Sequence, residues 1–138
     1  MLDEQQVTTP KLIEIFQGAY MDVSDAEESR FSVKGIQFPF LLGVMLDKER
    51  KVVRFTDYNR LHRVTQQQAA LLCNEANRSF MLARFYAFEH EGAIMAATQY
   101  DMSFEKGLIP YQVISNFRFF ERVAGAAVQG TFKDYLRP

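Results

Sequence analysis

The run Thr65-Gln-Gln-Gln-Ala-Ala-Leu-Leu-Cys-Asn-Glu-Ala-Asn-Arg78, with the two stretches behind it, Phe80 to Glu89 and Ala93 to Met102, decides the fold. Thr65 and Gln68 have the spacing of a capping box, in which each side chain satisfies the other's backbone N–H at a helix start. Ala69, Leu72, Cys73 and Ala76 recur at helical steps, so a helix is expected to run from there to about Arg78. Two strands follow, joined by the short polar turn His90-Glu-Gly92. In the second strand Ile94, Ala96, Thr98, Tyr100 and Met102 share one parity.

Upstream, Thr9 and Pro10 open a helix with an apolar side of Leu12, Ile13, Ile15, Phe16 and Tyr20, ending near Met21. The acidic stretch Asp22 to Glu28 leads to three strand candidates. In Arg30 to Gly35, Phe31 and Val33 alternate with Ser32 and Lys34. Phe38 to Leu46 is apolar on both parities, with Pro39 expected at the strand's start because proline cannot donate to a ladder. Asp47 to Arg50 reads as a charged turn, and Lys51 to Asp57 as the returning strand. Downstream, Pro110 opens a last helix whose stripe is Val113, Phe117, Phe120 and Ala124, with Gly130 at its end. The order is α-β-β-β-α-β-β-α. Strands and helices do not alternate as crossover units, so the expected fold is α+β, a mainly antiparallel five-stranded sheet with flanking helices. Residues 1–138 show no linker or repeat, which makes one domain the simplest account.

Composition narrows the class. The chain has 138 residues, 48% hydrophobic and 24% charged, with 13 Phe, 6 Tyr and no Trp, which suits a folded domain with an aromatic core. A lone cysteine and an amino end without a basic leader or apolar segment give the expectation of a cytoplasmic protein. No run is long enough to cross a bilayer, so membrane insertion is not expected. A formal net charge of -1 offers no general attraction to nucleic acid. The charge is uneven, however, with acids crowding the first 28 residues and Lys48, Arg50, Lys51, Arg54, Arg60 and Arg63 clustering after them. That asymmetry either steers a partner or forms two solvated surfaces.

Reactive groups are sparse. His62 and His90 are far apart in sequence and lack a second ligand at helical spacing, and Cys73 is placed beside Leu72 and Ala76 as a small hydrophobe. Neither a Gly-x-Ser-x-Gly turn nor a phosphate-cradling glycine motif is present. No catalytic residue, metal or cofactor is expected. Acid–base pairs can still assemble from distant positions, and Asp57, Glu89 and Asp101 all lie in or near strands.

Two groups of candidate contact residues remain. Arg54, Tyr58, Arg60 and Arg63 offer planar forks and a stacking face for an anionic partner, or neutralise the acidic first third of the same chain. Asn74, Asn77 and Arg78 either close their helix or anchor a partner. The last helix carries Tyr111, Phe117, Phe119 and Phe120 over more than half its circumference. A homodimer interface is the expected use of that area.

Val53-Arg-Phe-Thr-Asp57, Cys73-Asn-Glu-Ala-Asn-Arg78, Met81-Leu-Ala-Arg-Phe-Tyr86 and Gly92-Ala-Ile-Met-Ala96 together resemble the YbjN-like family, over about Leu12 to Val128. Asn74-x-x-Asn77-Arg78 before the aromatic strand is the most specific part. The resemblance implies a fold similar to the small dimeric chaperones of type III secretion. It also implies a nonenzymatic role in a family labelled as bacterial sensory transduction regulators without a settled activity. By that resemblance Asn74, Asn77 and Arg78 correspond to the polar end of the middle helix, and the aromatic Phe117 to Phe120 segment is the departure. The leading expectation is a protein-binding regulatory or chaperone-like homodimer. The alternative is a small-molecule receptor or enzyme with a pocket between sheet and helices, for instance around Arg84 with Asp101 or Tyr86.

Overall fold

The computed structural model describes residues 1–38 and 40–138. Its elements are α1 (Thr9–Gly18), β1 (Val23–Ser24), β2 (Arg30–Lys34), β3 (Leu41–Asp47), β4 (Val52–Leu61), α2 (Gln66–Ser79), β5 (Arg84–His90), β6 (Ala93–Ser103) and α3 (Pro110–Gln129), with short 3-10 turns at Glu4–Gln6 and Lys133–Tyr135. The strand order is β1-β2-β3-β4-β6-β5. The pairs β1–β2, β2–β3, β3–β4 and β5–β6 are antiparallel.

The α+β class and the antiparallel sheet agree with the sequence reading, and three details differ. The sheet has six strands, not five, because Val23 and Ser24 pair with Val33 and Ser32. Two residues between acidic neighbours are too short to show alternation. The N-cap of α1 is Thr8, whose Oγ1 accepts from Lys11 N–H at 3.3 Å, and Pro10 is the second helical residue. Strand β4 continues four residues past Asp57, carrying Tyr58, Asn59, Arg60 and Leu61 in extended backbone. The placement expected for Pro39 lies outside the described residues. Among the described residues, no helix is long and apolar enough to cross a membrane.

The chain divides into two compact units, each built from two segments. The first comprises Met1–Thr56 and Asp101–Glu121, the second Asp57–Tyr100 and Arg122–Pro138. In the first unit the register sets Phe31 opposite Val44 and Val33 opposite Leu42, so the buried side chains of β2 and β3 share one sheet face. Phe55 of β4 extends that face, paired with Val44. Leu12 and Phe16 of α1 and Val113, Phe117 and Phe120 of α3 are buried as well. Phe117 sits edge-on to Phe16 and Phe55, with ring centroids 5.0 and 5.3 Å away, and Phe120 lies 5.9 Å from Phe55. Each such pair contributes about 0.5–1.5 kcal/mol beyond its buried area.

The first unit also encloses a charge. Glu121, only 2% exposed, extends its carboxylate to three successive backbone N–H groups. Oε1 accepts from Ile36 at 3.0 Å and Gln37 at 3.4 Å, while Oε2 accepts from Gln37 at 3.0 Å and Phe38 at 3.3 Å. Turning three consecutive amides toward one carboxylate leaves no room behind them. A Cβ on Gly35 would collide with Glu121 Oε2 and the Phe38 carbonyl, which accounts for glycine there.

In the second unit, the capping box starts α2 as expected, with Gln68 N–H donating to Thr65 Oγ1 at 3.1 Å and Thr65 N–H to Gln68 Oε1 at 2.9 Å. Ala69, Cys73 and Ala76 face inward and are buried. Their small size suits close approach of the helix. Phe85 is flanked by Phe80 and Phe132, with centroids at 5.7 and 6.1 Å. At the β5–β6 turn, Glu91 and Gly92 both have positive φ, 51° and 80°, the geometry that matches a two-residue hairpin loop to the strand twist.

Candidate interaction face

Side chains alternate across a strand, so Arg84, Tyr86 and Phe88 of β5 share the face opposite buried Phe85. The antiparallel register sets Gln99, Ala97 and Met95 of β6 beside them. On β4, Tyr58 and Arg60 alternate with buried Asp57 and Leu61. Tyr58 is 52% exposed and meets Phe88 edge-on, with centroids 5.9 Å apart. Strands separated by one neighbour lie about 9.5 Å apart, so these rings lean toward each other across β6. Ala97 makes that reach feasible. It lies opposite Tyr86 and is 1% exposed, its methyl roofed by larger neighbours.

Tyr86 and Phe88 are 5.9 Å apart with planes at 36°, and the Arg84 guanidinium stands 5.4 Å over the Tyr86 ring. The result is a row of three aromatic rings with exposed arginines, Arg60 and Arg84, beside it. None of the face positions 58, 60, 84, 86, 88, 90, 95, 97 and 99 is a carboxylate.

The structure sorts the sequence candidates. Tyr58 and Arg60 belong to this face. Arg54 holds Asp101 through two hydrogen bonds, Nε at 2.8 Å and Nη2 at 3.1 Å, so Asp101 serves Arg54 and not Arg84. Arg63 is exposed and donates to the Asp134 carbonyl. Asn74 and Arg78 line an open groove on α2 with Leu71, Glu75 and Ser79. Asn77 does something the helix-end reading did not foresee. Its Nδ2 donates to the Phe85 carbonyl at 2.9 Å and its Oδ1 accepts from the Phe85 N–H at 2.7 Å, so the side-chain amide pairs with β5 as a neighbouring strand would.

Phe117 and Phe120, expected at a dimer interface, are instead enclosed within the first unit, because Phe16, Phe31 and Phe55 supply the aromatic surroundings they require. Phe119 is half-buried and Tyr111 is 78% exposed.

Two titratable groups are perturbed by burial. Asp57 is 6% exposed and pushed up to about 6, an effect eased by the Asn59 amide donating to it at 2.8 Å. Burial also pushes the Cys73 thiol up to about 11, which removes its nucleophilic form. His62 donates its backbone N–H to the Tyr135 carbonyl at 2.6 Å, and His90 lies on the exposed turn. Among the described residues, no three His, Cys, Asp or Glu side chains gather as a metal site.

No protein-family model matches the sequence. No curated protein matches it either. A crystal structure described as "YbjN, a putative transcription regulator from E. coli" shares the fold with a TM-score of 0.83, covering 100% of both chains at 11% identity. The chain is therefore an α+β protein with the YbjN fold, as the sequence resemblance implied. At that identity the likeness concerns the backbone arrangement.

Proposed function

We propose that the chain is a nonenzymatic regulatory binding module that docks another protein on the Tyr58, Tyr86 and Phe88 face. The observation carrying this reading is the aromatic row roofing Ala97, an apolar surface bordered by exposed arginines on an ordered sheet. The description of YbjN as a regulator supports a regulatory setting. The perturbed groups argue in the same direction. Asp57 is satisfied by Asn59 on the buried face, and Cys73 is held as a thiol, so neither is presented to a substrate.

A cytoplasmic homodimer remains part of the proposal, with Tyr111 and half-buried Phe119 as the α3 residues left to contribute. The test is affinity capture with the wild-type chain and a Tyr58→Ser, Phe88→Ser variant of unchanged melting temperature. A stoichiometric protein held only by the wild type is expected. Identical capture by both chains would refute docking on this face, and sedimentation of the Tyr111→Glu variant tests the dimer.

A further inference from the structure

The aromatic row has a charge character of its own. Some arginines of this chain are matched to carboxylates: Arg30 with Glu27 at 3.4 Å, Arg50 with Asp47 at 3.0 Å, and Arg54 with Asp101 at 2.8 Å. Arg60 and Arg84 form no salt bridge among the described residues, and both are exposed. Arg84 is also tethered, its guanidinium carbon 5.4 Å from the centroid of the Tyr86 ring, and the side chain is exposed to an approaching anion. A fork held this way loses less freedom on binding than a freely rotating one.

Resting on the docking reading above, we infer that the partner is an acidic protein segment in extended form, whose carboxylates meet Arg84 and Arg60 and whose apolar side chains enter the row of rings. Charge complementarity selects the acids, because the positions beside the rings carry Arg60 and Arg84 and no carboxylate, and the next residue of that parity on β6, Asp101, is held by Arg54. The rings select the apolar groups. Tyr58 and Phe88 stand at 86° to each other, so the face of one is occupied by the edge of the other, and an aliphatic or aromatic side chain fits beside them better than a flat base between them. Two cations are also few for a polyanion, which gains affinity by releasing a counterion at each phosphate contact. The spacing gives a further criterion. Arg84 and Phe88 are four residues apart along β5, about 13 Å, so an extended segment aligned with the strand carries its carboxylate about four residues from its large apolar side chain.

The test pans a random-peptide display library on the full chain, and then measures the selected peptides by fluorescence anisotropy. The same assay is run with oligouridylate, and sedimentation velocity follows the chain alone. The variants are Arg84→Glu, Arg60→Glu and the Tyr58→Ser, Phe88→Ser pair, each first shown to melt as the wild type does. Enriched peptides should combine Asp or Glu with large apolar residues, lose at least about tenfold in affinity on Arg84→Glu, and weaken with salt. Replacing their acids with Lys should restore binding to the Arg84→Glu chain. Loss of binding in the aromatic variant without any effect of Arg84→Glu or Arg60→Glu would overturn the acidic partner while keeping the docking face. Indifference to all three variants would overturn both. Enrichment of basic peptides or of none, binding of oligouridylate alone, or a wild-type dimer dissolved by Arg84→Glu would each overturn the acidic-segment assignment.

Discussion

Replacing Glu121 with Gln changes one atom of a buried carboxylate, and the structure gives the cost. The two oxygens receive Ile36, Gln37 and Phe38 N–H groups at 3.0 to 3.4 Å. The amide keeps one acceptor and places an NH2 where the other oxygen was, facing amides that also donate. Whichever way it is turned, at least one backbone N–H is left without its best acceptor. The remaining bonds fall from charge-assisted to neutral strength. A hydrogen bond to a charged group contributes about 1.5–3 kcal/mol and a neutral one about 1, so losing one and weakening another costs about 3 kcal/mol. Urea unfolding followed by circular dichroism reads this directly as a shifted midpoint at unchanged slope. Hydrogen exchange at Gln37 supplies a local readout and should accelerate with the loss of stability. A Glu121→Gln chain within about 1 kcal/mol of wild type, with Gln37 still protected, would refute the claim that this carboxylate organises the turn.

Three further outcomes are expected. Asp57 is raised to about 6 by burial, so from about pH 4 to pH 6 the folded chain keeps a proton the unfolded chain releases, and stability falls as pH rises. Asp57→Asn removes that slope, gaining up to about 3 kcal/mol on wild type by pH 7; parallel stability curves for the two chains would contradict it. Asn77→Ala should cost about 1–3 kcal/mol and expose the Phe85 amide to exchange, with Asn77→Asp in between because it keeps the acceptor and loses the donor. Cys73, buried and pushed to about 11, should react with a thiol reagent at pH 8 about a hundredfold more slowly in the folded chain than in urea.

Most of the architecture was legible because the signals were local. Thr65 with Gln68, Pro110 with its apolar stripe and the His90 to Gly92 turn each mark an element within a few residues. Strand β1 was hidden because two residues have no period. The far half of β4 was hidden because Tyr58, Asn59 and Arg60 show no apolar alternation that would carry the strand beyond Asp57. The candidate face was half visible. Tyr58 and Arg60 stood out by residue type and Tyr86 was named with Arg84 only for a pocket, while Phe88 was lost in a continuous aromatic run whose two parities only pairing with β6 separates. Phe117 and Phe120 were read as interface residues because the rings that enclose them are remote in sequence. Glu121 was missed despite a usable clue: it lies one helical turn from Phe117, a carboxylate beside an otherwise apolar stripe.

The pairing of Asn77 with Phe85 bears on what the sheet must avoid. A primary amide offers the same donor and acceptor as a peptide unit but ends in a side chain, so it completes the ladder at that position without offering anything to the next chain. A visiting strand that tried to zip along β5 would find its first rung already taken. Part of that edge's protection is thus encoded in one residue of a helix, where an aspartate, lacking the donor, would satisfy only one of the two groups.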